Sequence, residues 1–157
     1  MRPIYLLGVN HEYQLGFGGA IPVEGTLEEF AEFEQFVRRS FTTYDIRGVA
    51  EEMSPAALRK HFISGDSLPC RLAGGAGLAH RYCDPDPEAR KRLSIESNDQ
   101  RERHWIQELM SFNVFPVLFV LGTDHIDSFQ SLLHEHGFTA FIVARDWQPS
   151  PEATQAV

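Results

Sequence analysis

The chain has 157 residues, enough for one domain that buries roughly 70% of its unfolded surface. Hydrophobic residues make up 43% and charged residues 23%, a globular balance that argues against a disordered or fibrous chain. Fourteen Lys and Arg against 22 Asp and Glu leave a net charge of -8, which repels phosphate backbones and disfavours general nucleic-acid binding. No apolar run approaches the roughly 20 residues of a membrane helix. The opening Met1–Gly8 stretch is too short for a signal core and no small-residue cleavage site follows it. Cys70 and Cys83 carry no extracellular cue and read as reduced thiols, so the expected setting is cytoplasmic, without a membrane partner.

In chain order, Ile4 to Val9 is a compact apolar run that predicts a buried strand followed by a loop, with a flexible glycine-rich loop at 16–22. That loop lacks the Gly-Lys-Ser/Thr ending of a phosphate-binding loop. Thr26 with Glu29 forms a capping box for a helix whose apolar stripe is Leu27, Phe30, Phe33, Phe36 and Val37. Asp45 to Ala50 predicts a second strand running into Glu51-Glu52. Ser54-Pro55 opens a helix to about Ile63. A short helix over Asp66 to Leu72, broken at Gly74-Gly75, precedes a third strand over Ala76 to Ala79 that leads into His80-Arg81. Asp86 caps a helix starting at Pro87. A long helix over Glu96 to Met110 buries Trp105, Ile106 and Leu109, and Pro116 to Leu121 is the most apolar strand. Ile126 to His136 is helical with Gly137 as its stop, Thr139 to Val143 is the last strand, and the tail from Gln148 is expected to fray. Strands alternate with helices. The fold class this predicts is a single α/β domain over 1–157, three-layered, with a mostly parallel sheet flanked by helices.

Function is suggested by position. His11, Glu51-Glu52, His80-Arg81 and His125 each follow a different predicted strand, and in a parallel sheet those ends share one edge. Imidazoles, carboxylates and a guanidinium gathered there suit metal binding or general acid–base work. Gly8-x-x-His11, Gly77-x-x-His80 and Gly122-x-x-His125 repeat one pattern, where about half a match is expected by chance from 12 Gly and 7 His. Glycine removes a side chain at the strand end so that the turn can carry the imidazole over the sheet edge. Glu51 and Glu52 point to opposite faces if the strand persists, so one of them enters the site. Arg81 either joins it or pairs with Asp84 or Asp86. His61, His134 and His136 lie on helices and read as surface residues. Cys83 sits near the edge, but the local acids disfavour a thiolate nucleophile.

Two GxxH motifs at strand ends, with a strand-terminal Glu between them, resemble the TraB/PrgY, GumN, TIKI, ChaN and erythromycin-esterase-like superfamily. Arg101-Glu102-Arg103-His104-Trp105 is similar to its arginine-led helical motif, with Glu102 where that motif carries Asn. Leu118 to His125, with Phe129 and Leu132 to Phe138, resembles the family's closing VGxGHLxGxxxLLxxxGY segment. The resemblance implies a hydrolase of an amide or ester bond acting on a small-molecule or peptide substrate. In TIKI-like form, His11, Glu51 or Glu52, and His125 would hold Mn²⁺, Co²⁺ or Zn²⁺ and lower the pKa of a bound water, and His80 at the same edge is an optional further ligand. Arg101, and Arg81 if it reaches the site, would stabilise the oxyanion. In erythromycin-esterase-like form no metal takes part, and a GxxH histidine is the general base.

Two further readings remain open at this level. ChaN relatives suggest a non-catalytic haem-binding module, with Met53 near the proposed edge. The same ligands would also suit a metal-dependent phosphoesterase. A short sheet could also pair with a second copy through an edge strand as a homodimer.

Overall fold

The structure, a computed structural model, describes residues 2–16, 26–61 and 65–151. The predicted glycine-rich loop beyond Gly16 and the last residues of the tail, 152–157, lie outside those described.

Five strands form one all-parallel sheet: β1 (Pro3–Gly8), β2 (Gly48–Glu51), β3 (Ala79–Tyr82), β4 (Val117–Leu121) and β5 (Thr139–Ala144). Their spatial order is β3-β2-β4-β1-β5. The central strands are buried on both faces, which is why they read as continuous apolar runs. Alternate side chains feed two separate cores. Ile4, Leu6, Ala50, Val117, Phe119 and Leu121 face one; Leu7, Val49, Leu118 and Val120 face the other.

Helices close both faces, making three layers. On the first, α6 (Asn98–Phe112) and α7 (Ile126–Glu135) bury Trp105, Leu109, Phe129 and Leu133. On the second, α2 (Leu27–Thr43) and α4 (Leu68–Gly75) bury Phe30, Phe33, Val37 and Leu72. The capping box of Thr26 and Glu29 forms as the sequence predicts, and Ser97 with Gln100 forms a second at α6. The short helices α3 (Pro55–Lys60) and α5 (Pro87–Leu93) start at Pro after Ser54 and Asp86 caps.

Several boundaries differ from the sequence reading. His11 does not sit in a loop but opens a short helix, α1 (His11–Leu15), whose Asn10 side chain caps Glu12 N–H. Leu27 is exposed rather than part of the α2 stripe, because α2 turns its first residue to solvent. Helix α4 runs through Gly74-Gly75, and β3 starts at Ala79, so His80 and Arg81 lie inside a strand rather than beyond it. Trp147 is buried against Tyr13, Phe33 and Phe36, and Ser150 bonds to Glu32, so the chain is ordered past Gln148.

All strand carboxyl ends lie on one edge, and the segments leaving the neighbours β1 and β4 turn to opposite faces, towards α1–α2 and towards α7. A crevice at such a divergence is where open α/β sheets hold their sites. No helix among the described residues is long and apolar enough to cross a membrane.

Candidate functional site

Strand alternation divides the acidic pair at the end of β2. Glu51 follows Val49 towards the α2–α4 face, and Glu52 follows Ala50 towards α6 and α7. The Glu52 N–H still extends the ladder to Val120 O at 2.8 Å, which fixes where its side chain leaves the sheet. Glu52 is 5% exposed and sits at the junction of three strand ends.

Four groups converge on its carboxylate. Gly122 N–H donates to Oε1 at 2.8 Å. Arg101 Nη2 donates to Oε2 at 2.7 Å. His125 Nε2 lies 3.4 Å from Oε2, and His11 Nε2 lies 3.8 Å from Oε1. The last distance is too long for a direct hydrogen bond, and only a water seated beside the pair, on its open side, would touch both atoms.

Glycine has a definite steric role at two of the three GxxH motifs. A Cβ on Gly122 would stand 3.1 Å from His11 Nε2 and 3.2 Å from Glu52 Oε1. A Cβ on Gly8 would stand 2.1 Å from Arg145 O, where the chain leaving β5 crosses β1 and Trp147 N–H bonds Gly8 O. Gly77 differs: it has a φ of 72°, its Cβ would meet nothing within 4 Å, and it serves a turn.

His125 ends a 3₁₀ turn (Thr123–His125) and is held from behind. Its Nδ1–H donates to Glu102 Oε2 at 2.8 Å, an oxygen that also accepts from the Ser128 hydroxyl at 2.8 Å. Trp105 packs against the ring, 4.9 Å between centroids. The Glu102 hydrogen bond raises the His125 pKa above its ordinary value; the Glu52 charge adds to this, against burial and the Arg101 charge.

Arg101 joins two carboxylates. Besides Glu52 it meets Asp84, through Nε at 3.1 Å and Nη2 at 3.0 Å. Burial opposes its charge, but Asp84 and Glu52 outweigh that and hold its pKa above the ordinary range. Trp105 Nε1–H donates to the same Asp84 oxygen at 3.0 Å, so residues one helical turn apart on α6 grip one acid.

Of the residues expected at the edge, the structure thus brings together His11, Glu52, Arg101 and His125. Glu51, His80 and Arg81 go elsewhere. Glu51 is fully buried, with Oε2 accepting from His80 Nε2 at 2.5 Å and from the Ser67 hydroxyl, and Oε1 from Gln14 Nε2 at 3.0 Å. His80 pairs across β2–β3 with Val49, so its ring shares the Glu51 face. Arg81 points the other way, to Glu108 at 3.2 Å and over the Phe112 ring, and pairs with neither Asp84 nor Asp86. Cys83 is buried, and burial pushes its thiol pKa up.

The sequence reading missed Gln14, Asp84 and Glu102. Asp84 entered the sequence reading only as a partner for Arg81, and it pairs with Arg101 instead. Glu102 stood beside Arg101 as a motif departure, yet it is buried and provides the partner of His125. His61 is exposed, as the sequence predicts, and lines the same cleft as His11, Glu52, Asp84 and Arg101, a cavity of about 140 Å³ walled on its apolar side by Leu15 and Met53.

Both Glu52 oxygens already accept, one from a backbone N–H and one from a guanidinium whose positive charge opposes a dication at the same spot. No group of three or more His, Cys, Asp or Glu among the described residues is arranged to hold a metal ion. Among the described residues the carboxylate is thus arranged around Arg101 and Gly122.

Comparison of the chain with family models, with curated proteins and with solved structures finds no match.

Proposed function

We propose that this protein hydrolyses a small ester or amide substrate by general-base activation of water, without a metal ion. The observation that carries the reading is the convergence on Glu52: two histidines from separate strand ends, a guanidinium and a backbone N–H meet one carboxylate on a cleft wall.

In this reading a water on the cleft side of the pair hydrogen-bonds to both His11 Nε2 and Glu52 Oε1. Its oxygen attacks the acyl carbon while its proton passes to His11 Nε2. The carbonyl π-electrons move to oxygen, next to the fixed charge of Arg101 on the cleft wall. Collapse of the tetrahedral species breaks the bond to the leaving group, which takes the proton back from His11. His125, anchored by Glu102, supports Glu52 from behind and does not itself line the cleft. The half-exposed His11 ring is the group within reach of a substrate.

Cavity size bears on the alternatives. Pockets for drug-sized ligands measure roughly 300–1,000 Å³. At about 140 Å³ this cleft suits a short acyl group and is poorly matched to a haem.

Steady-state turnover of a panel of small chromogenic esters and anilides tests the reading. His11→Ala is expected to lower kcat/KM by about 10²–10⁴-fold with an unchanged melting temperature. Equal turnover in wild type and variant, or no turnover by either, overturns it.

A further inference from the structure

We infer that Glu51, the carboxylate that does not reach the cleft, is a positioning residue: acting through Gln14, it fixes the His11 ring with its proton on Nδ1 and its Nε2 lone pair towards Glu52. The inference rests on the reading of His11 as a base for its functional meaning, but the tautomer itself follows from hydrogen-bond geometry.

Gln14 is fully buried on α1. One end of its amide lies 3.0 Å from Glu51 Oε1 and 3.3 Å from the Glu52 carbonyl oxygen. Both neighbours accept only, so that end must be the NH₂ group. The reversed amide would set its carbonyl oxygen against two acceptors in a buried setting, leaving each without a donor. The other end, Oε1, lies 2.6 Å from His11 Nδ1. An amide oxygen accepts, so Nδ1 carries the proton. In the neutral ring the lone pair is then on Nε2, the nitrogen that faces Glu52 Oε1 across 3.8 Å.

Glu51 is equipped for this task and for no other at the site. Its Oε2 accepts hydrogen bonds from the Ser67 hydroxyl and from His80 Nε2–H, and its Oε1 accepts from Gln14. Ser67 is itself held, because its hydroxyl oxygen caps α4 by accepting Cys70 N–H at 3.1 Å. With every donor direction assigned, the carboxylate has one orientation, and so has the amide it holds. Without Glu51 the Gln14 amide loses its strongest constraint and can present NH₂ to Nδ1, which moves the ring proton to Nε2 and takes the base away from the cleft.

Long-range ¹H–¹⁵N correlation spectra of ¹⁵N-histidine-labelled protein, at a pH where the ring is neutral, read the tautomer directly. His11 is assigned by its loss in His11→Ala. The wild type is expected to hold the Nδ1–H form in at least tenfold excess. Gln14→Met and Glu51→Leu are expected to bring the two forms within a few-fold of each other, and to lower kcat with little change in KM. Gln14→Met leaves Glu51 with His80 and Ser67, so it carries the measurement if Glu51→Leu does not fold. A wild-type ring protonated on Nε2, or a tautomer ratio unchanged in Gln14→Met, overturns the inference. The spectra need no substrate, so this result stands apart from the success or failure of the hydrolase reading.

Discussion

The two sides of the β2 carboxyl end carry the same residue type and handle it in opposite ways. On the α4 side, Glu51 is fully buried and both its oxygens accept hydrogen bonds, from Gln14, Ser67 and His80. On the α6 side, Glu52 is held by Arg101 and Gly122, but it also fronts a cleft, with His11 Nε2 3.8 Å from its Oε1 and not hydrogen-bonded to it. A saturated carboxylate rigidifies what it touches; one with a gap left open can take part in chemistry. One step along a strand, with its reversal of side-chain direction, separates the two roles.

The largest expected effect breaks this contrast most sharply. Glu51→Leu removes one partner of a buried pair and is expected to cost about 3–5 kcal/mol in denaturant unfolding. Glu52→Gln is expected to cost much less, since Arg101 keeps Asp84, yet to lower kcat/KM by at least about 10²-fold. Equal stability losses would erase the distinction between the two sides.

Next comes the His125–Glu102 bond. Because folding raises the His125 pKa, its contribution is full below the unfolded value of about 6.5 and fades as the pH rises through the folded value. Glu102→Gln is therefore expected to destabilise by about 1.5–3 kcal/mol at pH 6 and by progressively less at higher pH. A gap between wild type and variant that does not narrow as the pH is raised would contradict the assignment. Gly122→Ala follows, at about 1–3 kcal/mol. Its φ of -67° suits alanine, so the cost is steric, and the added methyl should push His11 and Glu52 apart and lower turnover. Ser128→Ala is the smallest, about 0.5–1.5 kcal/mol, since Glu102 keeps His125.

Much of the fold was legible because its signals are local. Apolar runs gave the strands, and Thr26, Ser54 and Asp86 marked helix starts that the structure keeps. The positions of His11 and His125 at strand ends were equally readable from GxxH, and the parallel topology then placed them on one edge. What could not be read was direction within a strand end. Moving the start of β3 by three residues put His80 and Arg81 on opposite faces of the sheet, away from the cleft. Glu51 against Glu52 depended on register, which is a property of the whole sheet and not of β2. Gln14, Asp84 and Glu102 act through partners far along the chain, at Glu51, Arg101 and His125, and no spacing rule joins such pairs.

The most direct test of the central claim is turnover by protein stripped with a chelator and assayed without added metal, beside the same protein given Mn²⁺, Co²⁺ or Zn²⁺. Metal-free hydrolysis by a Glu52-centred site predicts equal kcat/KM in all these samples and its loss in His11→Ala. Activity that appears only when a metal ion is restored would contradict the account.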